Sequence, residues 1–504
     1  MPAAEAKESA HATRPPIVVV MGHIDHGKTT LLDYIRKTSV AEKEAGGITQ
    51  AIGAYQAESG GRTITFIDTP GHEAFAGMRR RGTHVADVAV LVVAADEGVK
   101  PQTEEAIRII HGAELPFVVA VNKIDRPNAD PARVKNELAE RAVLVEGFGG
   151  TVPAVELSAK TGQGVDALLE TILLLADLEE LAGDAKKPGE GVVVESHLDP
   201  KRGATATLLV EDGTVERGAF VAVGGQTAPV RIFENFRGEA IERAGPSEPI
   251  RIVGFGRPPA LGDRFVTFPD RKAAESHAAL GSPVLPAESG SALPAGEGKR
   301  HTIAIVLKAD VLGSLEAVGE ALAKIESAEL ANRVIKAEVG DITESDVKLA
   351  AATTNSFIVG FNVRVSPTVK DLAERNRVTT VSGQVIYELI EAVRATMLAL
   401  APAEVRRQDL GRAKVLQLFR EEKERQIVGG RVLNGSIRPG VRFDTARNGV
   451  GIGGGRILEL QSGRRPAEEV SEGNEFGALA EADPAIAAGD ELAIFIEETV
   501  KPHL

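Results

Sequence analysis

Residues 17–36 read IVVVMGHIDHGKTTLLDYIR, and this stretch decides the fold. It opens as an unbroken apolar run of strand length and closes, from Lys28, with apolar residues at helical spacing. Between them Gly22-His23-Ile24-Asp25-His26-Gly27-Lys28-Thr29 fits GxxxxGK[ST], in the strand–loop–helix context a phosphate loop requires. Gly22 and Gly27 let the backbone curl so that its N–H groups face phosphate oxygens, while the helix N-terminus adds positive potential. Lys28 is then placed to reach the β- and γ-phosphates and Thr29 to ligate Mg²⁺. An ordinary glycine turn is the plain alternative, and the flanking strand and helix argue against it. Asp25 either binds a monovalent cation, reaches an attacking water indirectly, or makes a structural hydrogen bond.

Three further segments extend the site. Asp68-Thr69-Pro70-Gly71 ends the apolar run TITFI, which sets a carboxylate at the carboxyl edge of a sheet to hold a metal through water, with the Gly71 amide near a γ-phosphate. Asn122-Lys123-Ile124-Asp125 follows FVVAV; the Asp125 carboxylate can accept from guanine N1–H and its exocyclic amine, a donor pair adenine lacks. Ser158-Ala159-Lys160 supplies a backbone donor for the guanine carbonyl and an aliphatic stem to cover the base. Alone, NKxD is more often a surface turn; in register behind a phosphate loop it selects GTP. Glu44-Ala45-Gly46-Gly47-Ile48-Thr49 reads as a first switch loop whose Thr49 hydroxyl completes the Mg²⁺ shell. His72, directly after Gly71, is the catalytic candidate, placed to orient a hydrolytic water.

Outward from the site, apolar strands alternate with amphipathic segments over residues 15–184, which predicts a doubly wound α/β domain behind a disordered tail, 1–14. Residues 190–270 change to short strands broken by glycine turns, the pattern of a small β-barrel. A linker, 271–298, precedes a return of alternation over 299–383, read as an α/β/α sandwich in which Thr343 and Asp346 start one helix. A connecting helical segment, 384–411, leads to a second barrel, 412–504. There Val432 to Gly440 repeats the turn pattern of Val210 to Gly218, so two barrels of one kind are expected. The whole is a multidomain α/β protein.

Composition limits the alternatives. The 504 residues carry 58 Lys and Arg against 72 Asp and Glu, a formal charge of −14, so RNA contact must be local rather than spread over the surface. Arg79-Arg80-Arg81, Arg406-Arg407 and Arg464-Arg465 are the runs that could supply it, each with a solvated face as the bland reading. The absence of cysteine excludes disulfides, thiolate metal sites and cysteine nucleophiles. No apolar stretch of spanning length is free of charge, so no membrane is expected and the location is expected to be cytoplasmic.

GHIDHGKTT, EAGGITQAIGAY, FIDTPGHEAF, VVAADEGVKPQT and NKID together resemble the translational GTPases. With ADVLGSLEAV and GDITESDVKLA, the chain resembles within them the bacterial initiation factor 2 family. The resemblance implies a GTPase with GTP and Mg²⁺ as ligands, acting as a monomer with both ribosomal subunits and formylmethionyl initiator tRNA. It carries Gly22 to Thr29, Asp68 to His72 and Asn122 to Asp125 over as GTP contacts. Only a short tail precedes Pro15, so functions of the family's long N-terminal extensions are expected to be absent. In the last barrel, where the family grips the aminoacyl end of initiator tRNA, GCxV and GFECG stand as Gly429-Gly430-Arg431-Val432 and Gly473-Asn474-Glu475-Phe476-Gly477. Both cysteines are replaced, and Arg431, Arg464, Arg465 and Phe476 are the candidate tRNA contacts. An elongation-type tRNA carrier, and a non-catalytic assembly or RNA-binding protein using GTP as a conformational ligand, are the competing readings.

Overall fold

The computed structural model describes residues 12–37, 53–71, 73–280, 301–325, 327, 330–401, 404–422, 425–463 and 465–500. It divides into two compact units, Met1–Met397 and Leu398–Leu504.

The first unit begins with β1 (Ala12–Thr13), β2 (Ile17–Gly22), α1 (Lys28–Arg36), β3 (Gly53–Ser59) and β4 (Arg62–Asp68). A short 3₁₀ turn, Glu73–Phe75, leads into α2 (Ala76–Val85), followed by β5 (Val88–Ala94), α3 (Pro101–Gly112) and β6 (Phe117–Asn122). α4 (Pro131–Ala139), β7 (Ala154–Glu156), α5 (Val165–Leu178) and β8 (Ala182–Gly183) complete this domain. The sheet order is β3-β4-β2-β5-β6-β7, parallel except for β3, which runs antiparallel to β4 at the edge. The fully buried runs of β2 and β5 lie at its centre, as expected of strands covered on both faces. Strand order reverses about β2, so its carboxyl end opens at the switch point where such sheets bind ligands.

A barrel follows, of β9 (Glu190–Asp199), β10 (Gly203–Asp212), β11 (Val215–Glu216), β12 (Phe220–Val223), β13 (Gln226–Pro229), β14 (Ile232–Asn235), β15 (Arg243–Ala244), β16 (Pro249–Phe255) and β17 (Arg264–Phe268). Then comes α6 (Arg271–Leu280), which buries Ala274 and Ala278 against Ala222. The sandwich comprises β18 (His301–Ala309), α7 (Leu312–Ala323), β19 (Leu330–Val339), α8 (Glu344–Ala351), β20 (Ser356–Phe361), α9 (Pro367–Arg375) and β21 (Thr379–Gly383), before α10 (Ile386–Leu400). Its four strands are parallel in the order β19-β18-β20-β21. Thr343 and Asp346 form the expected capping box at α8, the Thr343 amide donating to Asp346 Oδ2 at 2.9 Å.

The second unit holds β22 (Glu404–Glu422), β23 (Arg425–Ile437), β24 (Arg442–Arg447), β25 (Val450–Ser462), β26 (Arg465–Pro466), β27 (Val470–Ser471), β28 (Glu475–Asp483) and β29 (Glu491–Val500). β22 pairs with both β29 and β23, so the β22-β29-β24-β25-β28-β23 sheet closes on itself. The repeated turns adopt one geometry in both barrels. Gly213 and Gly435 have φ of 76° and 70°, Gly218 and Gly440 95° and 84°. A Cβ on Gly213 would lie 2.1 Å from Pro188 O, and one on Gly435 2.0 Å from Leu410 O. Only glycine satisfies both the left-handed backbone and the close approach.

Three boundaries differ from the sequence reading. Ala12–Thr13, assigned to the tail, pair with β8, and Arg14 binds both oxygens of Asp87 at 2.6 and 2.7 Å. Residues 271–280, assigned to the linker, are helical because two alanines suffice to seat that helix on the barrel. The strand β22 starts at Glu404, inside the segment read as connecting helix, because its pairing with β29 takes over once α10 ends.

The Arg14–Asp87 pair ties the chain entry to β2, since Asp87 Oδ2 also accepts from the Ile17 amide at 2.8 Å. Asp87→Ala is expected to strand the Arg14 charge and lower stability by about 3 kcal/mol, as losing one partner of a mostly buried pair does; denaturant unfolding of the two proteins gives the difference.

Candidate functional site

At the carboxyl end of β2 the chain must turn sharply to enter α1. Gly22 (φ 142°) lies so close to β5 that a Cβ would sit 2.3 Å from Val92 O, and Gly27 (φ 88°) would strike Asn122 Nδ2 at 2.4 Å. Lys28 is buried and folds back, its Nζ donating to Gly22 O and His23 O at 2.8 Å each. Burial, with Arg79 adding repulsion against the opposing pull of Asp68 and Asp25, lowers its pKa to about 8. Asp25 itself is exposed, in a left-handed conformation. His26 is fully buried and its pKa falls to about 3 through burial; burial also lowers that of His23. Both rings are therefore neutral at pH 7 and leave Lys28 as the loop's cation.

Asp68, 4% exposed, ends β4 beside β2. Thr69 Oγ1 donates to Val20 O at 2.9 Å, which pins the turn to the central strand. Gly71 crosses directly over the phosphate loop, where a Cβ would lie 2.5 Å from Lys28 Nζ. Pro70 O accepts from buried Arg79, whose guanidinium also pairs with Glu105 at 2.6 Å. Arg81 pairs with Glu316 of α7 at 2.5 Å. Of the run read as a candidate RNA patch, Arg79 and Arg81 are thus occupied by structural ion pairs.

Asn122, 1% exposed at the end of β6, joins three loops. Its Nδ2 donates to His26 O at 2.9 Å, and its Oδ1 accepts from the Ala159 amide at 2.9 Å. Each end of the amide makes one bond to protein, which ties the phosphate and base loops together and leaves a second Nδ2 hydrogen for a ligand. Lys123 lies 3.1 Å from Glu97. Buried Ser158 donates to Asp125 Oδ1 at 2.7 Å, and this bond holds the exposed Asp125 carboxylate below its ordinary pKa. The carboxylate stays ionised and outward-facing, the state guanine recognition needs. Ile124 and exposed Lys160 flank it on the two loops. His72 and the switch segment with Thr49 lie outside the described residues.

One contributor was missed by the sequence reading. Gln102 Oε1 accepts from the Ile24 amide at 2.9 Å, bracing the phosphate loop from α3. The signal was the VKPQT stretch: Pro101 opens a helix at the same sheet edge, so the next side chain faces the first loop.

In the terminal unit, Leu416, Phe419, Ile427, Gly429 and Phe476 line a cavity of about 590 Å³. Gly430 stands where a Cβ would meet Phe476 Cζ at 2.7 Å, so the phenylalanine ring fills the room that a side chain at 430 would take. Arg431 pairs with Glu475 at 2.7 Å and Arg465 is exposed; Arg464 lies outside the described residues.

Known proteins share this organisation. The elongation factor Tu GTP binding domain matches residues 13–177, elongation factor G domain 2 matches 188–268, and translation-initiation factor 2 matches 290–394. Translation initiation factor IF-2 of Rubrobacter xylanophilus is 45% identical over 96% of this chain and 71% of its own length. That of Carboxydothermus hydrogenoformans is 44% identical over 97% and 60%, and that of Clostridium perfringens 40% identical over 99% and 74%. Among solved structures, GDP-bound aIF5B from Aeropyrum pernix is 29% identical, covering 96% of this chain and 92% of its own with a TM-score of 0.47. No described helix is long and apolar enough to cross a membrane.

Two outcomes follow from the geometry. A bound triphosphate favours the ammonium form of Lys28, so its pKa in the complex lies above the value of about 8 in the free protein. Nucleotide binding at pH 8 should take up about half a proton and weaken as pH rises further; calorimetry in buffers of different ionisation enthalpy measures the uptake, and zero uptake contradicts it. Asp125→Asn replaces an acceptor by a mixed donor and acceptor, and should cost guanine nucleotides about 100-fold in affinity, equivalent to about 3 kcal/mol for hydrogen bonds to a charged acceptor.

Proposed function

The chain belongs to the translation initiation factor IF-2 family, whose members are translational GTPases, and from that premise we propose that it positions formylmethionyl initiator tRNA on the small ribosomal subunit, promotes joining of the large subunit and hydrolyses GTP on the assembled ribosome. The observation that carries the reading is the convergence of four loops at one sheet edge, with a buried lysine beneath Gly71 and an ionised, exposed carboxylate at Asp125. The first feature suits a triphosphate and the second suits guanine.

Mg²⁺ would be held by the Thr29 hydroxyl and the Asp68 carboxylate, with Thr49 as a third donor. These are oxygen donors, as a hard cation requires, and Asp68 is kept nearly dry at the strand end. Bound there, the ion neutralises charge on the phosphates. Lys28 contributes the compact positive charge, and His72 orients the water. Little else is needed for phosphoryl transfer, which depends on positioning and charge stabilisation. The apolar cavity of the terminal barrel takes the aminoacyl end of the tRNA, with Phe476 as its floor and the neighbouring arginines meeting phosphates.

Ribosome-dependent hydrolysis tests the whole reading. Turnover of GTP should be slow in the isolated protein and rise strongly with assembled ribosomes; an unchanged rate contradicts it. His72→Ala should remove most of the stimulated rate, by about 100-fold or more given the typical worth of a positioned proton-handling group, while GTP affinity stays nearly intact. Competition between formylated initiator, unformylated initiator and elongator tRNAs separates initiation from elongation, since a preference for elongator species points to a tRNA carrier.

A further inference from the structure

The nucleotide-binding domain and the first barrel are clamped together at one turn. Ser247 O accepts from Thr65 Oγ1 at 2.5 Å, and Ser247 Oγ donates to Pro15 O at 2.6 Å. Phe236 of the barrel packs against the core of the nucleotide-binding domain. Between these attachments lies a cavity of about 480 Å³. One wall is Gly53 to Gln56 of β3, the outer strand of its sheet, which leaves backbone donors and acceptors along that side; another includes Asn235 of β14, whose amide is taken by Glu239 O at 2.9 Å.

Three arginines line this cleft, Arg36, Arg237 and Arg251. Arg251 stands in register between Thr207 and Glu234, but the Glu234 carboxylate is taken by Arg202 at 2.6 Å. Arg251 makes no ion pair among the described residues, and its Nε is buried without a hydrogen-bond partner. Arg36 lies flat over Tyr55, 3.4 Å from the ring centroid, with its nearest carboxylate, Asp68, 3.9 Å away; its Nε too is buried and unpartnered. Arg237 rests over Phe236 and forms no ion pair among the described residues. Glu195 is the acid that lines the cleft, and it sits 3.6 Å from His197.

A chain of net charge −14 has acids to spare, yet none of them pairs with Arg237 or Arg251 among the described residues. Arg237 and Arg251, without ion pairs among the described residues and lining one cleft, are arranged for an anion supplied from outside, while Arg36 leans toward Asp68 of the GTP site. Guanidinium forks match phosphate bidentately, and the open edge of β3 along one wall suits a chain laid lengthwise. We propose that this cleft binds the phosphodiester backbone of a single-stranded RNA segment, separately from the GTP site and from the terminal barrel. The choice of RNA over another polyanion rests on the reading of the protein as a ribosomal factor.

The test is binding of a fluorescein-labelled ten-nucleotide oligouridylate to the full chain saturated with GDP, over a range of salt concentrations. The expected result is an affinity that Arg237→Ala and Arg251→Ala together lower about tenfold or more. The same pair should flatten the slope of log affinity against log salt by roughly 1.4, at about 0.7 for each single-strand phosphate neutralised. Arg251→Lys, which keeps the charge without the fork, should give an intermediate loss, and Arg271→Ala, outside the cleft, none. Arg237→Ala alone, on an exposed turn, provides the effect should the double variant unfold. Unchanged oligonucleotide affinity in these variants overturns the proposal. So does displacement of the oligonucleotide by pyrophosphate with no dependence on strand length, which would mark a small-anion site, or equal competition by a ten-residue glutamate peptide. Ribosome-stimulated GTP hydrolysis, measured on the same preparations, reports on the initiation reading independently.

Discussion

The side-chain amide of Asn122 is the interaction on which the nucleotide site depends. A phosphate loop and a base-reading loop are separated by about a hundred residues of sequence and by two strand positions in the sheet, yet one ligand must touch both. Asn122 bridges that gap by donating to His26 O and accepting from the Ala159 amide. Because it is buried, either bond left unmade would cost the desolvation of a polar group. Gly27 is forced by the same contact, for a Cβ there would collide with the Asn122 amide. The loops are thus set in position by the protein rather than by the nucleotide, which reduces the ordering cost of binding.

From this site the structure spreads through short, specific ties. Pro70 leans on buried Arg79, and α2, which carries that arginine, also reaches the sandwich through Arg81 and Glu316. Met78 of the same helix sits beneath Gly313 at the start of α7, where a Cβ would lie 2.3 Å from its Cε. The segment after Gly71 therefore connects through α2 to a second domain. Such a helix, packed on two sides by groups that tolerate little displacement, is the kind of element that passes a local change onward.

Much of this was legible in one dimension. The phosphate loop, DTPG and NKID could be read because their requirements are local: a strand end, a glycine where no Cβ fits, a carboxylate at fixed spacing. The turn repeat between the two barrels was readable for the same reason, and both copies adopt the left-handed glycines it implied. What escaped was set by tertiary pairing. The helix α6 has only alanines on its buried face and adjoins a Pro- and Ser-rich stretch, so no apolar stripe announced it. The partners of Asn122 and Gln102 are backbone atoms of the phosphate loop, which no residue pattern specifies. Arg79, read among surface cations, lies almost fully buried because the Pro70 carbonyl and Glu105 together neutralise and saturate it.

The most direct test of the central claim is guanine-nucleotide affinity of Asn122→Ala, measured by titration calorimetry beside its unfolding temperature. If the amide sets both loops, affinity for GDP and GTP should fall together by about 30-fold or more, equivalent to losing two hydrogen bonds at roughly 1 kcal/mol each with the desolvation penalty of their former partners, while the sheet unfolds only a few degrees lower. Affinity within threefold of the unsubstituted protein, with the same unfolding temperature, would contradict the account.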